Sequence, residues 1–324
     1  MACALWLLAL VLAALLPWQA FAAVQVTVVP AEATDPALDK SWGPHRTYLD
    51  QDALPRGQLL LFLPGTGGRN DGPPRAFSLA AAKLGYHVIE LAYPNNLSAT
   101  VCWRQADPGC FEKFRREIIE GEDASPLITV RHADGIENRL EKLLERLANR
   151  QATGGWRQFL DSSGRIAWDK VALAGQSQGG GHAALIARDR KVARVLLFGA
   201  PKDYDPKGRK PAPWYGPSRT PAERIFALVH TRDRQGCTFP QQLEIYRAMG
   251  MADRPANVDG AMPPYGNSRI LITNYPGRQI SSKAAHVVGL SHPVFKPAWV
   301  YMLTAGADRE TTEPNPLKIK VKLP

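Results

Sequence analysis

From residue 58 onward the chain alternates short, almost continuously apolar runs with longer stretches of helical period. QLLLFLP (58–64), YHVIELAYP (86–94), KVALAGQS (170–177), ARVLLFGAP (193–201), RIFALVHT (224–231) and RILITNYP (269–276) have the length of strands. They lack the strict apolar–polar alternation of a sheet with one wet face, so both of their faces must be covered. Between and after them, RAFSLAAAKLG (75–85), GIENRLEKLLERLANR (135–150), GGGHAALIARD (179–189), FPQQLEIYRAMG (239–250) and PVFKPAWVYMLTAG (293–306) read as helices. Parallel strands need crossover connections, and helices packed on both faces supply them. The pattern therefore predicts an α/β fold with a mostly parallel central sheet and right-handed crossovers. No linker composition interrupts it, so residues 23–324 are expected to form one domain. Segments 95–124 and 202–222 fit no strong period and are read as insertions over the carboxyl ends of the strands, where open α/β sheets bind ligands.

Composition narrows the class without naming a function. Of 324 residues, 45% are hydrophobic and 22% charged, too apolar for a wholly disordered chain. Glycine and proline, 27 each, show no G-X-Y period, which excludes a collagen. The net charge of +10 favours anionic surfaces in general. No nucleic-acid-binding module accompanies that charge, so a nucleic-acid partner is not expected.

Residues 2–16 are apolar and uncharged, shorter than the ~20 residues needed to span a bilayer. Ala20-Phe21-Ala22 fits a signal-peptidase site, and cleavage after Ala22 is expected. No Lys or Arg precedes the apolar run, so the α-amine alone supplies its positive end. No later segment reaches transmembrane length, so the mature chain is expected to be periplasmic or secreted. Cys3 leaves with the leader, and Cys102, Cys110 and Cys237 remain. A disulfide closing the short 102–110 loop suits an oxidising compartment. Pairing of either cysteine with Cys237 is also open, as spacing alone does not decide it.

Gly175-Gln176-Ser177-Gln178-Gly179 is a G-x-S-x-G at the junction of the strand KVALAG and a small-residue helix. A serine in a sharp strand-to-helix turn is exposed above the sheet, and small residues two before and two after permit the close approach the turn demands. The helix N-terminus at the same place favours developing negative charge. The other glycine-rich loop, LPGTGG (63–68), contains neither G-x-x-x-x-G-K-[ST] nor G-x-G-x-x-G, so a nucleotide-binding reading fails.

On these residues the chain resembles the α/β-hydrolase superfamily of serine hydrolases over about 58–305, and within it, loosely, secreted bacterial esterases. The resemblance implies an α/β-hydrolase fold and a nucleophile, acid and histidine in that chain order. It also implies an acyl-enzyme intermediate and no metal or cofactor. Two histidines follow the last strand, and either satisfies that order. His286 in KAAHVVGL would be held against the core, whereas His292 precedes Pro293 at the start of a helix, where a cap or surface residue would suit. His286 is the preferred base. His182, on the helix after Ser177, reads as a packing residue, and His45, His87, His132 and His230 are not well placed.

Asp233, two residues beyond RIFALVHT, is the preferred acid. Asp203 and Asp205 are alternatives, and a plain surface aspartate between Arg232 and Arg234 is the bland one. The oxyanion donors implied are the backbone N–H groups of Gln178 and, from LPGTGG, of Thr66, whose hydroxyl could add to them. Trp103, Trp214 and Tyr215 fall in the two insertions and either line an acyl pocket or pack. FEKFRREI (111–118) reads as a solvated helix face, and the basic tail 307–324 as a solvated or edge-strand terminus. The function expected is an exported hydrolase of carboxylic esters, acting on a small or polymeric substrate through Ser177, Asp233 and His286. An acyltransferase with the same triad is an alternative, as is a binding module that kept the scaffold without the chemistry.

Overall fold

Along each central strand successive side chains go to opposite faces, and both faces are apolar. Leu59, Leu61 and Leu63 join one buried cluster while Leu60 and Phe62 join another. Val195 and Leu197 likewise part from Leu196 and Phe198. A two-residue period with both registers apolar can be satisfied only in a sheet covered on both faces. The computed structural model, which describes residues 23–306, has that arrangement. The leader 1–22 and the tail 307–324 of the sequence reading lie outside the described residues.

The strands are β1 (Gln25–Val29), β2 (His45–Leu49), β3 (Leu59–Leu63), β4 (His87–Glu90), β5 (Val171–Gln176) and β6 (Arg194–Phe198), a short ribbon of β7 (Tyr204–Asp205) and β8 (Lys210–Pro211), then β9 (Ile225–His230), β10 (Ala256–Asn257) and β11 (Ile270–Thr273). The helices are α1 (Ala76–Lys83), α2 (Cys110–Glu120), α3 (Ile136–Arg150), α4 (Gln178–Asp189), α5 (Phe239–Ala248), α6 (Ser282–Ser291) and α7 (Lys296–Thr304). The main sheet has nine strands in the order β1-β2-β4-β3-β5-β6-β9-β11-β10. β2 pairs antiparallel with both β1 and β4, and the remaining pairs are parallel.

The chain leaves β3 for β4 on one side and returns to place β5 on the other. Right-handed crossovers then put α1 and α4 on opposite faces. Phe77 and Ala81 of α1 pack with α6 and α7, whereas Ala183 and Ile186 of α4 pack with α2, α3 and α5. The reversal opens a crevice at the carboxyl ends of β3 and β5, the place where such sheets bind ligands.

Several features differ from the sequence reading. β1 and β2 precede residue 58, where polar residues interrupt the apolar pattern. Segment 95–124 is not wholly irregular, since it contains α2. The helix carrying FEKFRREI is not simply a solvated face, because Arg115 and Glu117 are buried. Among the described residues no helix is long and apolar enough to cross a membrane.

Cys102 and Cys110 form a disulfide, with Cα atoms 5.6 Å apart, and Cys237 is free and buried. The bridge ties the turn at Ala99–Arg104 to the first residue of α2. Replacing both cysteines with serine is expected to lower the unfolding free energy by about 2–3 kcal/mol, from chain entropy released in the unfolded state. Denaturant titration checks this, and a midpoint equal to that of the native chain would show that packing alone holds the segment.

Candidate active site

Ser177 lies between β5 and α4 with φ 53° and ψ −119°, a conformation that costs a residue bearing a Cβ roughly 1–3 kcal/mol. Its surroundings impose that conformation. The Ser177 N–H donates to the Phe198 carbonyl at 3.0 Å, and its carbonyl accepts from Gly181 N–H at 3.1 Å. A Cβ on Gly175 would stand 2.4 Å from the Gly179 carbonyl, and one on Gly179 would stand 2.1 Å from the Leu63 carbonyl. The two glycines of the motif are therefore required by close backbone approach on both sides of the turn.

Ser177 opens onto a cavity of about 510 Å³ whose lining includes Thr66, Trp103, Gln178, Lys202 and His286. His286 is on α6, between β11 and α7, and not in an irregular loop. Its Nδ1–H donates to Asp233 Oδ2 at 2.8 Å, the direction fixed because a carboxylate only accepts. That bond turns Nε2 away from the acid. Among the described residues no hydrogen bond joins the Ser177 hydroxyl to the imidazole, and the two groups meet across the cavity they both line.

Asp233 follows β9 and is fully buried, not a surface residue between two arginines. Its other oxygen accepts from Gln235 N–H at 2.9 Å. Burial alone would raise the Asp233 carboxyl, but the His286 hydrogen bond and the Lys202 ammonium outweigh it and hold the group below the usual carboxylate range. It is a permanent anion behind the imidazole at neutral pH.

The loop after β3 comes to the same place. Gly67 N–H donates to the Asn95 carbonyl at 2.8 Å, and Asn95 Nδ2 donates to the carbonyls of Gly65 and Gly68 at 3.1 and 2.8 Å. Gln178 ties this loop to the 97–99 segment. Its Oε1 accepts from Ala99 N–H at 2.9 Å and from the Thr66 hydroxyl at 3.1 Å, and its Nε2 donates to the Leu97 carbonyl at 2.9 Å. The Thr66 hydroxyl is thus committed to bracing Gln178.

The remaining candidates are committed to other contacts. His292 caps the turn at Pro293–Phe295 by accepting from Val294 N–H, and it approaches the Tyr275 hydroxyl at 3.3 Å. Asp203 is locked to Arg115 through two bonds of 2.6 Å, and Asp205 accepts from Lys207 N–H within the β7–β8 ribbon. His182 is fully buried and stacks edge-on against Tyr93; burial and the nearby Arg115 keep it neutral. Trp214 and Tyr215 are buried beside Asp203, bonded to its carboxylate and its N–H, and do not line the cavity. Trp103 and Phe111 supply its apolar wall. Burial pushes the Cys237 thiol up to about 11, which leaves it a poor nucleophile.

The sequence reading missed three residues here: Asn95, Arg115 and Lys202. Asn95 was visible in the sequence as a turn residue after the YHVIELAYP run, but nothing in that spacing says which loop it braces. No known family model matches this chain, and no curated protein matches it.

Proposed function

We propose that the protein is an exported serine hydrolase of the α/β-hydrolase type that cleaves carboxylic esters. The observation that carries this reading is the convergence on one cavity of a strained Ser177 at a strand-to-helix turn and a His286 oriented by buried Asp233. The loop after β3 supports it by bringing Thr66 to the cavity beside the helix N-terminus, where that superfamily places its second oxyanion donor. The Cys102–Cys110 disulfide is consistent with an oxidising compartment.

In the proposed reaction Ser177 Oγ attacks the ester carbonyl as its proton passes to His286 Nε2. Asp233 stabilises the resulting imidazolium. The tetrahedral oxyanion takes hydrogen bonds from the N–H groups of Gln178 and Thr66, each worth on the order of 10²–10³ in turnover in comparable sites. His286 returns the proton to the departing alcohol, leaving an acyl-serine. The same base then activates a water that resolves the acyl-serine and releases the acid.

Labelling with a fluorophosphonate tests the assignment directly. The native chain is expected to label at Ser177, the His286→Ala variant to label at least about a hundredfold more slowly, and His292→Ala to label like the native chain. A folded native chain that takes no label would overturn the hydrolase reading and favour a binding module on this scaffold. Loss of labelling in His292→Ala alone would transfer the base role.

A further inference from the structure

Lys202 stands out among the residues around Ser177. It follows β6 and is only 8% exposed, and its side chain lines the cavity. Its Nζ lies 2.9 Å from Asp233 Oδ2, an ion-pair distance, yet the directions make no hydrogen bond there or to any other group. Asp233 also accepts from His286 at that oxygen and from Gln235 at the other, and this one carboxylate neighbour cannot meet every donor of the ammonium. An ammonium has three N–H donors, and leaving them unmet in a desolvated place is costly.

Both sides of Lys202 are pinned, so the backbone that carries it is held in place. Tyr246 OH and Gln242 Nε2, both of α5, donate to the carbonyls of Ala200 and Pro201 at 3.0 Å. On the other side Asp203 N–H donates to the Tyr215 hydroxyl at 3.2 Å.

Asp233 meets the Lys202 charge from behind the wall, while the lining itself carries more positive than negative groups. Among the described residues of the lining Asp203 is the only carboxylate, and Arg115 neutralises it with a two-point contact. The last guanidinium nitrogen of Arg115 donates to the Gln178 carbonyl, so no free guanidinium fork faces the space. Lys202 remains on the inside and Lys283, one turn before His286, at the exposed rim. Two separate point charges without a fork suit a singly charged carboxylate better than a phosphate dianion, which favours bidentate guanidinium.

We infer that the ester recognised by this site carries a carboxylate group, held by the Lys202 ammonium and drawn in by Lys283. This rests on the proposed ester-cleaving reading and adds a substrate class to it. It also explains a buried lysine beside the acid of the site, where an apolar side chain would avoid the desolvation cost.

The test uses binding, so that it does not depend on turnover. Two matched pairs are titrated into the Ser177→Ala protein by calorimetry: 4-nitrophenyl hydrogen adipate against methyl 4-nitrophenyl adipate, with the charge on the acyl side, and 3-carboxy-4-nitrophenyl hexanoate against its methyl ester, with the charge on the alcohol side. In at least one pair the charged member is expected to bind about tenfold or more tightly, a difference near 1.4 kcal/mol. Adding Lys202→Met should bring that ratio close to one. Lys283→Ala should lower it by a smaller factor, and 0.5 M salt should weaken the rim contribution first. If Lys202→Met does not fold, Lys202→Gln and the Lys283 variant carry the comparison.

Equal binding within both pairs overturns the inference, as does a charge preference that survives loss of Lys202. Failure of the ester-cleaving reading would look different: no fluorophosphonate adduct on Ser177, with the binding preference intact.

Discussion

Ser177→Ala is expected to lower kcat for a simple activated ester by a factor on the order of 10⁴–10⁶, the range seen when a triad nucleophile is removed. What remains should come from the oxyanion donors and from substrate placement, which the substitution leaves in position. Steady-state hydrolysis of 4-nitrophenyl butyrate measures it, and a variant retaining more than a few per cent of native turnover would show that another group attacks. The backbone at this position makes a second readout possible. Ser177 has φ 53° because the turn between β5 and α4 demands it, and alanine inherits that strain. Glycine does not, so Ser177→Gly should be as inactive as Ser177→Ala yet more stable to denaturant by roughly 1 kcal/mol. A stable, inactive glycine variant would show that the chain holds strain here for the sake of the exposed hydroxyl.

The parts of this architecture that can be read in the sequence are those in which one physical demand dominates. β3, β5, β6 and β9 are buried on both faces, so their residues are almost all apolar and the strands announce themselves. The G-x-S-x-G turn is similarly plain, because an added Cβ would collide with backbone and leaves glycine no substitute at Gly175 and Gly179. Asp233 and His286 each follow a recognisable strand, and the structure brings them within 2.8 Å.

Other parts are hidden where two demands compete. β1 and β2 form the antiparallel edge, where QVTVV and HRTYL mix polar with apolar residues and fit no simple period. His45 and Arg46 of β2 are buried, but their types point to the surface. α6 is absent from the helices read in the sequence because its glycine and two serines weaken the helical signal, although Ser281 caps it by accepting from Ala284 N–H. Lys202 and Arg115 were invisible for a different reason: a charged residue in an irregular segment or on a polar helix face reads as solvated until its partner, far away in sequence, is known. Asp203 is 88 positions from Arg115.

Arg115 carries the largest stability prediction. Its guanidinium and the Asp203 carboxylate are each 2% exposed and meet through paired 2.6 Å bonds, with Trp214 Nε1–H adding a third donor to Asp203 at 2.9 Å. A Cβ on Gly181 would come within 2.1 Å of the guanidinium carbon, so the group lies flat on α4, one turn after Ser177. Arg115→Leu keeps some of the packing but strands Asp203 as an unpaired buried charge, and it is expected to cost about 3–5 kcal/mol of unfolding free energy. Asp203→Leu should cost a similar amount by stranding the arginine. The double variant should cost much less than the sum, since it removes both charges together. Arg115→Lys should not rescue, because an ammonium cannot reproduce the two-point contact and the bond to the Gln178 carbonyl. Urea titration of the four variants closes the cycle. Additive single effects would mean that the pair contributes only through packing. A strong coupling with loss of fluorophosphonate labelling in the folded double variant would show in addition that the buried pair holds the Ser177 turn, through the Gln178 carbonyl, in its reactive shape.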